Sequence, residues 1–374
     1  MKIVIAPDSF KGSLRAADFC DAARDALAER FPGAELVCIP MADGGEGTCE
    51  ALCRAAGGRL LPAPAADPLG RPVPGFFALL PARTAAVELA AASGLPLLTE
   101  RERDPFRADS GGTGTLMRAA LDALFAQEGG RPTLIVGLGG SATNDGGAGL
   151  LRALGARLLD TQGREVPPGA EGLRTLARID PAGLDPRLRE TRLLAACDVT
   201  APLCGPDGAA AVFGPQKGAA PADVPVLDGL LTRWGDLLRR DLGADVAARP
   251  GSGAAGGAGA ALMALGAVPV PGFELLREFS RLDERLTGAA LAVTGEGQLS
   301  AQTLLGKLPA RLAALAKTHG ARTVAVVGVI ASDWRGADSP FDRVLPLCTG
   351  GVTPEYSMTH AAALVRRALL EREL

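Results

Sequence analysis

The stretch Gly137–Gly147, GLGGSATNDGG, sets Ser141, Thr143, Asn144 and Asp145 among five glycines. Asn144 is the only asparagine in the chain. Similar polar, glycine-bearing stretches recur: PDSFKGS with Asp8, Ser9 and Lys11, MADGGEGT with Asp43 and Glu46, CDVTAPLCGPDG with Asp198, PQKGA with Gln216 and Lys217, PGSGAAGG with Gly253 and Gly256, and TGEGQLSAQTLLGK with Glu296 and Lys307. Arginine outnumbers lysine 34 to 5, yet three of the five lysines lie in these stretches. A compact ammonium suits phosphate in a way that a guanidinium does not reproduce. Carboxylates, lysines, hydroxyls and open backbone N–H groups are the parts that phosphoryl transfer needs, with Mg2+ held through carboxylate and water oxygens.

Other chemistries fit less well. Both histidines, His319 and His360, lie outside these stretches. That argues against Ser-His-Asp hydrolysis and against a histidine-held transition metal. No G-x-x-x-x-G-K-[ST] sequence occurs, so there is no P-loop. Gly137, Gly139 and Ala142 do satisfy G-x-G-x-x-A, with Asp160 eighteen residues beyond. This gives an alternative reading as an NAD(P)-linked dehydrogenase. Against it, Asp145 in the first helical turn would repel a pyrophosphate at that helix N-terminus. A third reading is a small-anion binding protein without turnover.

The elements that must position these residues repeat one unit: apolar run, glycine-rich polar turn, amphipathic helix. Strands are expected at Ile3–Ala6, Glu35–Ile39, Thr133–Val136, Leu193–Ala196, Leu291–Val293, Thr323–Val329 and Val344–Leu347, with Glu296 in the turn that follows its strand. A helix from about Leu14 to Glu29 has Ser13 as its expected N-cap. The pattern predicts an α/β protein with largely parallel sheets, and ligands in such sheets bind outside the carboxyl ends of the strands. The proline-rich run Leu60–Gly75 reads as a passage between domains. The expected division is a Rossmann-like first domain of residues 1–60 plus 288–374, a second α/β domain of 61–287 inserted in it, and the site in the cleft between them.

Composition agrees with a globular enzyme. The chain has 374 residues, 47% hydrophobic and 22% charged, with a net charge of −3 that disfavours nucleic acid as the main partner. Seven cysteines without a completing Cys/His pair read as reduced thiols and a cytoplasmic protein; a monomer or homodimer is expected. The run Ile3–Pro7 is too short for a signal peptide. The uncharged segment Pro250–Phe273 is too rich in Ala and Gly to span a membrane, and reads as a loop and a packed helix.

The segments KIVIAPDSFKGSL, PMADGGEGT, GLGGSATNDGGAGLLRALGA, CDVTAPLCGPDGAAAVFGPQKGA, PGSGAAGGAGAALMALGA and VTGEGQLSAQTLLGKLPA closely resemble the bacterial glycerate kinases of the type-1 family, collinearly over nearly the whole chain. The resemblance implies ATP-dependent phosphorylation of D-glycerate, typically to 2-phosphoglycerate, with Mg2+, and a two-domain α/β fold. Two positions depart from the family pattern: Ser300 stands where an acid is common, and a usual Tyr-Gly-Thr-Gly-Glu segment reads Gly111-Gly112-Thr113-Gly114-Thr115.

On this reading Asp198 and Asp145 bind the metal or the acceptor hydroxyl. Lys11, backbone N–H groups or an arginine clamps the glycerate carboxylate, and Lys217 and Lys307 meet the ATP phosphates. Asp8, Ser9, Asp43, Asn144 and Glu296 bind substrate, while Gly139, Gly140, Ser141, Gly253, Gly256 and Gln216 line the nucleotide.

Overall fold

The computed structural model describes residues 1–42, 44–304 and 306–374. In chain order its strands are β1 (Lys2–Ile5), β2 (Glu35–Cys38), β3 (Arg59–Ala66), β4 (Pro72–Leu80), β5 (Thr84–Glu88), β6 (Thr133–Gly137), β7 (Arg157–Leu159), β8 (Arg178–Asp180), β9 (Arg192–Ala196), β10 (Val268–Val270), β11 (Ala289–Leu299), β12 (Arg322–Ile330) and β13 (Arg343–Pro346). The chain divides into two compact units. Unit 1 comprises Met1–Asp43, Arg54–Ala56 and Phe273–Leu374; unit 2 comprises Gly44–Cys53 and Gly57–Gly272. These bounds fall at 43 and 273, where the sequence suggested 60 and 288.

Unit 1 holds a five-stranded sheet in the order β13-β12-β11-β1-β2, parallel throughout. Its central strands read as continuous apolar runs, Ile3–Ile5 and Val324–Val327, because both faces are covered. The helix Ala16–Arg30 lays Phe19, Cys20, Ala23, Ala26 and Leu27 against the sheet, and Leu364, Val365 and Leu369 of the helix Ala361–Glu371 join the same core. Arg30 ties the two helices together, donating to the carbonyls of Leu369 (2.7 Å) and Arg372 (2.6 Å). Ser13 is not the N-cap: the helix begins at Ala16, and the Ser13 hydroxyl donates instead to the Met358 carbonyl at 2.6 Å.

Unit 2 holds a six-stranded sheet in the order β10-β9-β6-β5-β4-β3. The run β10-β9-β6-β5 is parallel, and β4 and β3 continue it antiparallel. The proline-rich segment is therefore a hairpin rather than a linker. Proline lacks the N–H a central strand needs, and Pro72 and Pro74 lie where β4 overhangs β5, which pairs only with Ala78–Leu80. β7 and β8 form a separate antiparallel pair. Pro250–Phe273 contains the buried helix Ala258–Ala264, and among the described residues no helix is long and apolar enough to cross a membrane.

Candidate active site

In unit 1 two neighbouring strands bring charge to one edge. The loop after β1 is pinned by Asp8 N–H on the Gly295 carbonyl (2.9 Å) and by reciprocal backbone bonds between Phe10 and Leu14 (2.8 and 3.0 Å). Phe10 is buried against Phe19, with ring centroids 5.6 Å apart. This anchors the turn and leaves Lys11 exposed at its tip, before Gly12 at φ 73°. The Asp8 carboxylate accepts from the Ser9 N–H at 2.7 Å.

Glu296 lies inside β11, not in a turn after it, because β12 pairs with β11 as far as Leu299↔Ile330. Its carboxyl group is buried, accepts 2.8 Å from the Thr303 hydroxyl, and lies 4.0 Å from the Lys307 ammonium. Burial pushes its pKa above the usual carboxylate range, while the Thr303 bond and the charges of Lys307 and Lys11 pull the other way. Asp8, Ser9, Lys11, Glu296 and Lys307 thus form one cluster at the carboxyl ends of β1 and β11.

In unit 2 the opening motif leaves β6 and does not enter a helix until Ala148. The glycine fingerprint at 137–142 therefore caps no helix, and Asp160 sits in the β7–β8 turn bonded to Arg164. The dehydrogenase reading loses both its parts.

Asp145 is fully buried and accepts four hydrogen bonds: from the Ser110 N–H (2.9 Å) and hydroxyl (2.7 Å), the Gly149 N–H (3.1 Å) and the Gly147 N–H (3.0 Å). Burial and the nearby Asp109 nevertheless raise its pKa. The Lys217 ammonium, also buried, donates 2.7 Å to the Thr143 carbonyl. Burial brings its pKa down to about 7, with Asp145 opposing. Ser141 and Thr143 share a hydroxyl contact of 3.1 Å, and each donates to the Ala255 carbonyl at 3.4 Å. Ala255 itself is held at φ 53°, a strained position for a residue with a Cβ.

Between these groups Asn144 is fully enclosed, and among the described residues neither its Oδ1 nor its Nδ2 has a partner. A buried amide left so costs about 1–3 kcal/mol, and such orphans mark a place where water or a ligand group belongs.

The remaining candidates divide. Asp198 follows β9, is exposed, and accepts 3.2 Å from the Gly272 N–H. Gln216 and Gly140 are exposed. Gly139, Gly253 and Gly256 are each required by the packing of the chain. A Cβ would lie 2.4 Å from the Gly45 Cα at 139, 2.1 Å from the Pro202 carbonyl oxygen at 253 and 2.0 Å from the Thr143 carbonyl oxygen at 256. Asp43 lies outside the described residues.

Sequence reasoning missed Glu88. It is buried at the end of β5 and accepts from the N–H groups of Gly47 (3.2 Å) and Cys49 (2.5 Å), so it caps the helix Thr48–Ala56. Burial raises its pKa to about 7. The signal was there: Glu88 is the one charge in the apolar run Thr84–Ala92. Ser110 was missed as well, since its role depends on a partner 35 residues away.

The model of the glycerate kinase family matches residues 3–371. The chain belongs to the glycerate kinase family. It is 43% identical to a glycerate kinase of Bacillus subtilis (strain 168), covering 98% of this chain and 95% of that one. It is 44% identical to a glycerate 2-kinase of Escherichia coli (strain K12), covering 89% of this chain and 86% of that one. A crystal structure from Salmonella typhimurium LT2, described as "putative glycerate kinase 2", superposes with a TM-score of 0.84 at 43% identity, over 99% of this chain and 97% of that one.

Proposed function

We propose that this protein transfers the γ-phosphoryl group of ATP to the 2-hydroxyl of D-glycerate, giving 2-phosphoglycerate and ADP. The family match supports glycerate as acceptor, and the glycerate 2-kinase relative supports the 2-position. The observation that carries the reading is the convergence of Lys11 and Lys307 on the buried Glu296, at the edge where parallel sheets bind ligands.

In the transfer, the acceptor oxygen bonds to the γ-phosphorus, the bond from that phosphorus to the bridging oxygen breaks, and the hydroxyl proton passes to a carboxylate. Glu296 is suited to that proton, since burial raises its proton affinity and Thr303 fixes one oxygen. Lys11 pairs with the glycerate carboxylate, beside Asp8 and Ser9. Lys307 takes the phosphate charge. The orphaned Asn144 supplies a donor and an acceptor that a substrate or its water can satisfy, and Ser141, Gly140 and Gln216 complete the polar surface around that loop.

Mg2+ is usually held by one or two carboxylates together with phosphate oxygens. The exposed Asp198 fits that pattern, and among the described residues no group of three acidic, His or Cys side chains forms a metal cage. The ion would neutralise phosphate charge. Asp145 is engaged by four hydrogen bonds and Lys217 by burial. In this reading they shape the loop 141–149 rather than touch metal or phosphate.

The test is ADP release from Mg-ATP with and without D-glycerate. Glycerate-dependent ADP supports the reading; equal ADP in both, or reduction of NAD by glycerate, overturns it.

A further inference from the structure

Cys20 on the helix Ala16–Arg30 and Cys38 at the end of β2 meet in unit 1. The Cys38 thiol donates to the Cys20 carbonyl at 3.8 Å, the Cys20 thiol donates to the Ile5 carbonyl at 3.7 Å, and the two side chains are neighbours. β2 is an edge strand. Cys38 is therefore partly accessible, while Cys20 is enclosed behind it. The neighbouring Cys20 side chain holds the Cys38 thiol below its ordinary value, and the Arg24 and Arg54 guanidinium groups add to this, against burial and Asp21, while Cys38 and burial push Cys20 up. Burial pushes Cys49, Cys53, Cys197 and Cys204 the other way. A reactive thiol is accessible, set among cations and backed by a second thiol.

We infer that Cys20 and Cys38 are a reversible thiol–disulfide pair, in which Cys38 meets a hydroperoxide and Cys20 resolves the product. The Cys38 thiolate attacks the peroxide oxygen, the O–O bond breaks, and hydroxide leaves with a sulfenic acid on Cys38. The Cys20 sulfur then attacks Cys38, the S–O bond breaks, and that oxygen leaves as water with the Cys20 proton. One peroxide is reduced by two electrons and two thiols are oxidised to one disulfide. A dithiol reductant reverses it. The bond would tie the helix Ala16–Arg30 to β2 on the side away from β11.

The test oxidises the full-length protein with a small excess of hydrogen peroxide and digests it, without reductant, with trypsin and a glutamyl endopeptidase. Cleavage at Arg15, Arg24, Glu35 and Glu46 puts Cys20 and Cys38 on separate peptides, free of the other cysteines. The expected result is a linked 20–38 peptide that disappears with dithiothreitol and in C38S. In C20S, Cys38 should instead be trapped by dimedone. Iodoacetamide should label Cys38 at least several-fold faster than Cys197 or Cys204. The inference is overturned if the folded, oxidised protein, checked by circular dichroism, holds no 20–38 link, or if Cys38 alkylates no faster than those two.

Discussion

The buried ammonium of Lys217 donates a 2.7 Å hydrogen bond to the carbonyl of Thr143, so the turn Pro215–Lys217 holds the loop that carries Asn144 and Asp145. Both ends of that contact are enclosed. The free energy of the loop therefore depends on the charge of one side chain.

The Lys217 pKa, about 7, is depressed from 10.5 by burial. Between those values the unfolded chain binds more protons than the folded one, so this group's contribution to stability rises with pH from 7 to 10.5. Urea unfolding of wild type and K217M at pH 7 and pH 10 should show a larger gain for wild type. Equal gains would place the ammonium in water.

Glu88 has the opposite sign. Its pKa is raised from 4.5 to about 7, chiefly by burial. The folded state binds more protons between those values, so its contribution to stability falls as pH rises from 4.5 to 7. From pH 5 to pH 8 wild type should lose stability relative to E88Q, read from denaturant midpoints at each pH. A flat difference would contradict the burial.

The side-chain amide of Asn144 makes no hydrogen bond among the described residues, so removing it costs the fold little. N144A should unfold within about 1 kcal/mol of wild type, because no intramolecular bond is lost. Its KM for glycerate or ATP should rise about tenfold or more, the worth of one bond to a charged ligand. An unchanged KM would remove Asn144 from the site.

Gly256 is at φ 68°, and a Cβ there would lie 2.0 Å from the Thr143 carbonyl oxygen. G256A should lower stability by about 2–4 kcal/mol, from strain plus displacement of the loop. A thermal melt within 2 °C of wild type would refute the packing role.

Much of the α/β alternation was legible because buried parallel strands are apolar on both faces, as Thr133–Gly137 and Arg322–Ile330 are. What local pattern could not show was set by distant partners. TGEGQL reads as a turn from its glycines, yet β12 supplies the pairing that keeps it a strand. Ser13 reads as an N-cap, but its hydroxyl bonds Met358, far along the chain. The proline run reads as a linker, whereas β4 places its prolines beyond the reach of β5. The glycines of PGSGAAGG read as lining the nucleotide, and the distant backbone that Gly253 and Gly256 face was not visible in the sequence. The two lysines that meet at Glu296 were visible as rare residues in an arginine-rich chain. Their common partner was not, since Lys11 and Glu296 are joined only when β1 pairs with β11.

Asp198 is the exposed carboxylate at the end of β9. D198N should leave the melt unchanged and lower kcat by about 100-fold or more, the scale of losing one group that stabilises transition-state charge, here by holding the Mg2+ that would neutralise the phosphates. Near-normal turnover would remove it from the reaction.

The most direct measurement is 31P NMR of a reaction containing the purified protein, Mg-ATP and D-glycerate, with authentic 2- and 3-phosphoglycerate as standards. The γ-phosphate signal of ATP should be replaced by that of 2-phosphoglycerate, mole for mole with ADP. Loss of ATP to inorganic phosphate alone, or no loss of ATP at all, would contradict phosphoryl transfer to glycerate.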